Sequence, residues 1–239
     1  VPATGRTREL IPQEFSVLRG VKWGIVENGC VVWDYDKNEM IWRKTMPKGM
    51  VSKILKDVEN SGAKGWIAEA YANGIAYSDA DARDYVASVA DKALLEKTFV
   101  DYFLSRHEYV KDFYHQKDIL DQAEKINIYF DDMETSRALR EKWKDLDDVA
   151  VTTSISGNAE FNAAGVDKGV GLAMLRTKLG IDRMHVIAFG DNENDLEMLE
   201  AVGCGVLMGN APSELQKHFS FVTKSNDQDG IFQAFKELG

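Results

Sequence analysis

"VIAFGDNENDLEMLEAVG", residues 186–203, decides how the chain is read. An apolar run from Val186 to Phe189 ends on Gly190, and Asp191, Asn192, Glu193, Asn194 and Asp195 follow at once. A short continuous apolar run reads as a parallel strand covered on both faces. Leu196, Leu199 and Val202 then share one side of a helix that Gly203 stops. With the strand ending at Gly190 and the helix starting near Glu193, Asp191 and Asp195 come to the carboxyl end of a sheet, where open α/β folds place their ligands. Converging carboxylates need a cation to relieve their repulsion. Without His or Cys nearby to favour zinc, a hard ion such as Mg²⁺ fits best. The same acids have a plainer use, as N-cap and first-turn residues that favour a helix start.

Outward from that stretch, the last third alternates strand and helix. "DKGVGLAMLRTKL" (167–179) is helical, "HVIAFG" a strand, "ENDLEMLEAVG" a helix and "CGVLMG" a strand. "APSELQKHF" is a helix with Pro212 in its first turn, "SFVTK" a strand and "DGIFQAFKEL" a closing helix. Such alternation predicts a doubly wound parallel sheet. Toward the N-terminus, residues 8–20 read as helical, "KWGIVENG" as a strand with a turn, and "CVVWDYDKNEMIWR" as a hairpin. Between Pro47 and Ala163 the pattern is mixed: a helix over 48–60, paired strands "GWIAEAY" and "GIAYSD", polar helical stretches, the strand "EKINIYFDD", the helix "METSRALREKWKD", and the strands "VAVTT" and "NAEFNA". The expected organisation is a discontinuous α/β core over 1–46 and 164–239, with an α+β domain inserted at 47–163.

Composition narrows the function. The 239 residues suffice for a sizeable core, and 44% hydrophobic with 28% charged residues is ordinary for a globular protein. A net charge of -10 argues against nucleic acid and anionic membrane as partners. An acidic protein that binds phosphate needs a cation or a local cluster of donors. Cys30 and Cys204 stand in no metal-ligand spacing and read as ordinary thiols of a reducing compartment. With no apolar stretch of membrane-spanning length and no signal-peptide pattern, a cytoplasmic location is expected.

Two further clusters sit at expected strand-to-helix junctions. Lys168, in "AAGVDKGVG", lies where a helix start already favours an anion, and its ammonium adds a point charge suited to phosphate. "ATGR" (3–6) offers a hydroxyl at Thr4, an open N–H at Gly5 and a guanidinium at Arg6. Alone, each is unremarkable. In the order Thr, Lys, Gly-Asp-x-x-x-Asp they resemble the haloacid dehalogenase superfamily phosphatases of the Cof type, which carry a large α/β cap between their second and third motifs. "ATGRTRELIP" with "VKWGIVENGCVVWD" is similar to the second motif and its following strand, and "AGVDKGVGLAMLRTKLGI" to the third. "VIAFGDNENDLEMLEAVGCGVLMGNA" is similar to the fourth, and "SNDQDGIFQAF" to the closing segment.

The resemblance implies a Mg²⁺-dependent phosphohydrolase acting on a small phosphate ester, with sugar phosphates the commonest class, and a monomer or weak homodimer. It implies that Thr4 bonds the phosphoryl oxygens and Lys168 neutralises charge. Asp191 would ligate Mg²⁺, Asn194 would support the phosphate, and Asp195 would hold the metal directly or indirectly. Arg6, Asn28 and Gly29 would lie near the substrate, with Gly5 in the phosphate loop. Trp66, Tyr71, Tyr77, Tyr85, His107, His115 and Tyr129 are possible cap contacts, while His185 and His218 read as structural. The family's nucleophile comes from an Asp-x-Asp-x-Thr motif that precedes the Thr motif. "VVWDYDKN", "SDADARD" and "IYFDDMET" read instead as a hairpin turn, a capped helix start and acids before a helix. The nucleophile is therefore expected in a segment upstream of Val1. The alternative is a non-catalytic relative that binds a phosphorylated ligand or a protein partner.

Overall fold

The computed structural model describes residues 1–239 apart from 12–14, 16–17, 91–96 and 154–156; the side chains of 89–90 and 97–99 also lie outside the description. The helix expected over 8–20 falls only in part on those positions, and 18–20 is a bend and turn instead of helix. Arg8–Leu10 is a single 3-10 turn, and 12–14 and 16–17 lie outside the described residues. The chain falls into two compact units, Val1–Gly165 and Val166–Gly239.

The first unit begins with the expected strand and hairpin. β1 (Trp23–Val26), β2 (Val31–Asp34) and β3 (Glu39–Arg43) form an antiparallel sheet, and Ala3 bridges Ile25 in parallel at its edge. The Asp34 carboxylate accepts from the Lys37 amide at 3.0 Å, so this acidic cluster is a hairpin turn. After α1 (Met50–Asn60) comes a six-stranded sheet built from β4 (Trp66–Ala72), β5 (Ile75–Asp79), β6 (Glu108–Val110), β7 (Ala123–Phe130), β8 (Val149–Thr152) and β9 (Asn158–Ala163). Its order is β6-β5-β4-β7-β9-β8, antiparallel except where β6 meets β5. α2 (Ala80–Ala90), α3 (Lys97–Arg106), α4 (Lys117–Leu120) and α5 (Met133–Trp143) connect the strands. The other two acidic clusters also read as expected: Asp79 caps the start of α2 through the Asp81 amide, and Asp132 caps α5 through the amides of Glu134 and Thr135.

Both faces of this sheet are buried, and they differ in chemistry. On one face Ala68, Ala70, Ile126, Ile128, Ala159 and Phe161 pack against α1 and α5. Met50, Val51, Ile54, Leu55 and Val58 of α1 recur on a single helical stripe, the condition for docking on a flat apolar surface. Trp143 sets its ring edge-on to Phe161 at 5.9 Å, and its indole N–H donates to Asp57 at 2.9 Å, so the buried donor is satisfied. The opposite face carries cross-strand rows of polar residues: Tyr71–Lys125–Asn162, Glu69–Asn127–Glu160, and Tyr129 beside Asn158. α2 and α3 cover its Ile67 end through Val86, Val100 and Phe103, and Leu10 covers Tyr71 and Ala76.

In the second unit α6 (Lys168–Leu179) precedes β10 (Ile187–Gly190), α7 (Leu196–Glu200) and β11 (Cys204–Leu207). β10 and β11 pair in parallel with Ile187 opposite Cys204, the parallel pairing that the alternation predicts. Two expectations shrink. The "SFVTK" strand reduces to one bridge between Leu207 and Val222, and the "APSELQKHF" helix to one turn, α8 (Ser213–Gln216). Polar and turn-forming residues at both ends leave too few positions for a stable element. Burial along β10 alternates instead of being continuous: Ala188 and Gly190 are buried, while Ile187 is exposed and the half-buried Phe189 sets its ring 5.7 Å from that of Phe235 in the closing α9 (Gly230–Leu238).

Close packing in this unit rests on Gly205. A Cβ there would lie 2.2 Å from the Leu199 carbonyl oxygen in α7, a backbone atom that cannot step aside. Gly205→Ala should therefore lower stability by about 1–3 kcal/mol, the usual cost of overpacking. Urea denaturation followed by circular dichroism measures it, and an unchanged midpoint would show that α7 does not pack so closely.

Candidate functional site

The residues singled out from sequence fall in both units, and each group is built within its own. In Val166–Gly239, Asp167 caps α6 by accepting from the Val170 amide at 2.8 Å, which makes Lys168 the first helical residue. Gly169 lets α7 approach, because a Cβ there would meet the Glu197 carbonyl at 2.7 Å. Lys168 is buried and donates from Nζ to Asp195 Oδ1 at 2.6 Å. The other Asp195 oxygen accepts from the amides of Asp191 (2.9 Å) and Asn192 (3.1 Å), while Asn192 accepts from Glu193 at 2.8 Å. Asp195 thus satisfies free amides at a helix start and also pairs with a lysine. Gly190 makes room for it, since a Cβ there would lie 2.4 Å from that of Asp195.

Asp191 is different. It is exposed, and its Oδ2 accepts from Asn210 Nδ2 at 2.7 Å. Asn210 is in turn held by the Asn226 amide, which donates to its Oδ1 at 3.0 Å. Asn194 is half-buried in the 3-10 turn Glu193–Asp195. Among the described residues no three His, Cys, Asp or Glu side chains converge as a metal-ligand group. What this half presents is the outward carboxylate of Asp191 beside a buried Lys168–Asp195 pair.

In Val1–Gly165, Thr4 and Arg6 form a tight loop in which Thr4 Oγ1 accepts from the Arg6 amide at 3.2 Å. Backbone bonds tie this loop to the turn after β1: the Asn28 amide donates to the Thr4 carbonyl (3.1 Å) and the Glu27 amide to that of Arg6 (2.9 Å). Glu27, Asn28 and Gly29 all have positive φ, at 55°, 55° and 94°. That conformation suits Gly and is tolerated by Asn, while Glu adopts it at a cost. Thr4, Gly5, Arg6, Asn28 and Gly29 are therefore brought together. The Arg6 guanidinium lies over the Tyr102 ring, 5.5 Å from its centroid.

The expected aromatic and histidine contacts divide. Tyr71, His107 and Tyr129 converge on the buried carboxylate of Glu69: Tyr71 donates at 2.7 Å, Tyr129 at 2.6 Å, and His107 Nε2 pairs with Oε2. Burial opposes ionisation of Glu69, but His107 and the two hydroxyls outweigh it and hold its carboxyl below the usual range. Trp66 and Tyr77 belong to the apolar face of the sheet, Tyr85 bonds Asp131, and His115 is exposed beside Asp112. His185 and His218 are exposed.

Several residues of this region were not singled out from sequence: Glu27, Lys125, Glu160, Asn162 and, in the second unit, Asn210. The signal was available for three of them. Lys125, Asn127 and Tyr129 alternate with Ile126 and Ile128, and Asn158, Glu160 and Asn162 alternate with Ala159 and Phe161. Alternation of this kind ordinarily means one wet face; here the polar face is buried, so its charges have partners. Glu27 is the exception. It is fully buried, and among the described residues neither carboxylate oxygen receives a hydrogen bond. Burial pushes its carboxyl well above the ordinary range and the neighbouring Glu124 carboxylate adds to this, against the opposing charges of Lys125 and Arg43.

A family model described as haloacid dehalogenase-like hydrolase matches residues 1–235. Phosphatase YwpJ of Bacillus subtilis is 26% identical over 254 residues, spanning 100% of this chain and 87% of that protein. A relative from Haemophilus influenzae is 37% identical over 123 residues, 52% of this chain, so the match spans less than half (44%) of that protein. A solved haloacid dehalogenase-like hydrolase from B. subtilis superposes with a TM-score of 0.81 at 25% identity, covering 100% of this chain and 87% of the other.

The state of Glu27 has a measurable consequence. A carboxyl whose folded pKa is raised contributes stability that is present at low pH and is lost as pH climbs from its unfolded value toward its folded one. Glu27→Gln cannot ionise, so its stability relative to the native chain should rise with pH above the ordinary carboxylate range, by up to about 1.4 kcal/mol per pH unit, until the folded carboxyl ionises. Urea midpoints across that range measure the difference. A difference independent of pH would mean that Glu27 is already ionised in the fold.

Proposed function

The chain belongs to the haloacid dehalogenase-like hydrolase family, and on that footing we propose that it serves a Mg²⁺-dependent phosphohydrolase acting on a small phosphorylated metabolite, a sugar phosphate being the proposed class. Residues 1–46 and 164–239 are taken to form the catalytic core and 47–163 the cap. The observation that carries the reading is the buried Lys168–Asp195 pair at 2.6 Å, set beside the outward carboxylate of Asp191 at the carboxyl end of β10.

In this reading the nucleophile is an aspartate of an Asp-x-Asp segment upstream of Val1. Its carboxylate oxygen bonds to phosphorus as the ester P–O bond breaks, and the second aspartate gives its proton to the departing alkoxide. That aspartate then takes a proton from water, whose oxygen attacks phosphorus and releases phosphate with the nucleophile restored. Thr4 supplies a hydroxyl and Gly5 an open N–H to the phosphoryl oxygens, while Arg6, Asn28 and Gly29 border the ester. Lys168 supplies positive charge at a helix start, where an anion is already favoured. Asn194 supports the phosphate from its turn.

Oxygen-only donors fit a hard ion, and here the donors nearest the helix start are Asp191, Asn210 and Asp195. Asp191 would hold Mg²⁺, whose charge offsets that of the transferring phosphoryl group. Asp195, with one oxygen committed to Lys168 and the other to two amides, acts by fixing the Asp191 backbone.

Two measurements test this. The chain extended upstream through an Asp-x-Asp strand should hydrolyse p-nitrophenyl phosphate with a Mg²⁺ requirement, and the 239-residue chain should not. Equal turnover by both would overturn the assignment of the nucleophile, and none by the extended chain would leave a phosphate-binding relative. In the extended chain, Asp191→Asn should weaken apparent Mg²⁺ affinity roughly 10–100-fold and lower activity with it. Unchanged activity would remove Asp191 from the site.

A further inference from the structure

Lys125 is almost completely buried, at 1% exposure, in the middle of β7. A buried ammonium is expensive unless its N–H groups are satisfied and its charge is balanced. Its partners reach well outside the sheet. Nζ donates to the Gly5 carbonyl at 3.0 Å and pairs with Glu160 Oε2 at 2.7 Å, and it lies 5.2 Å from the Tyr71 ring centroid. Glu160 Oε2 also accepts from Asn28 Nδ2 at 2.7 Å. Asn162, next along β9 on the same face, accepts from Asn28 Nδ2 at 3.2 Å and donates to the Glu27 carbonyl at 3.1 Å.

Three neighbouring sheet residues therefore grip two loops at once. The loops are the Thr4–Arg6 loop and the Glu27–Gly29 turn, themselves joined by backbone bonds. The grip also has a steric side. A Cβ at Gly5 would sit 2.7 Å from Asn28 Oδ1 and 3.3 Å from Lys125 Nζ, so the loop fits only while these groups hold their places. The Glu27–Asn28–Gly29 turn, with three left-handed residues in succession, is a conformation that an unsupported chain would leave.

We propose that Lys125, with Glu160 and Asn162, is the positioning device for the phosphate-binding loop: it acts through the Gly5 carbonyl and the Asn28 side chain and does not touch the reacting atoms. The proposal rests on reading Thr4–Arg6 as that loop. It gives the inserted sheet a second task besides facing substrate, because its polar rows hold in place the hydroxyl and amides that would receive the phosphoryl group.

The test is amide hydrogen exchange, which needs no turnover. Lys125→Met alone removes the cation that balances the buried Glu160 carboxylate, so the double variant Lys125→Met/Glu160→Gln is compared with the native chain, and Asn162→Ser provides an uncharged second variant. The amides of Thr4, Arg6, Glu27 and Asn28 should exchange at least about ten-fold faster, while those of Trp66–Ala72 stay within about two-fold. Unchanged loop exchange in a folded variant would overturn the proposal. So would an equal rise across the strand, which would make Lys125 a support of the sheet alone. In the extended chain the double variant should lose at least about ten-fold in kcat with apparent Mg²⁺ affinity unchanged, as misplacement of a transition-state donor does. An unaltered kcat would count against the proposal. If the extended native chain hydrolyses no phosphate ester, the functional reading fails, and the exchange pattern still decides the positioning role.

Discussion

The six-stranded sheet has no wet face, and much of the first unit follows from that. A strand whose side chains alternate between apolar and polar can leave the polar set in water at little cost. Here that set is covered at one end by α2 and α3 and at the other by the segment around Leu10. Glu69, Lys125, Asn127, Asn158, Glu160 and Asn162 are all buried, so each had to find its opposite or its acceptor among neighbours. Some of those partners lie on the sheet itself; others are backbone groups of loops far away in sequence. The satisfaction of buried charge is thus also what fixes the course of residues 4–6 and 27–29.

The second unit solves a smaller version of the same problem. Asp195 is buried with Lys168, and neither could stay there alone. Its second oxygen collects two amides that the start of a helix leaves unbonded. Capping and pairing are not competing explanations for this acid, because the carboxylate has two oxygens and spends one on each. Asp191, four residues earlier, is left facing outward, and the difference in exposure separates a structural carboxylate from an available one.

Most of this architecture was legible in the sequence. The strand–helix alternation after Asp167, the hairpin at Asp34 and the capped starts at Asp79 and Asp132 were set by local signals: period, turn residues and side chains that bond nearby amides. The loop residues Thr4, Gly5, Arg6, Asn28 and Gly29 were legible through their resemblance to family motifs. The grip on them was not. Lys125 and Glu160 lie 35 residues apart and meet Gly5 and Asn28 only after the sheet forms; nothing in a strand's alternation tells whether its polar side will be covered. "SFVTK" and "APSELQKHF" come out shorter than their sequences suggest, because polar and turn-forming residues at both ends stop the backbone pairing early.

The turn at Asn28–Gly29 carries a consequence for the chemical lifetime of the protein. An asparagine followed by glycine is the pair most prone to lose its side-chain ammonia, because the next amide nitrogen can reach the side-chain carbonyl carbon with nothing in its path. In the folded chain the Asn28 amide is held by Glu160 and Asn162, which restrains that approach; in the unfolded chain it is free. Ageing at this position would replace a donor with a carboxylate directly against the Glu160 carboxylate, and a buried pair of like charges is repulsive. The fold therefore protects the residue whose alteration it could least absorb, and a chain that has aged while unfolded would return to its native loop with difficulty.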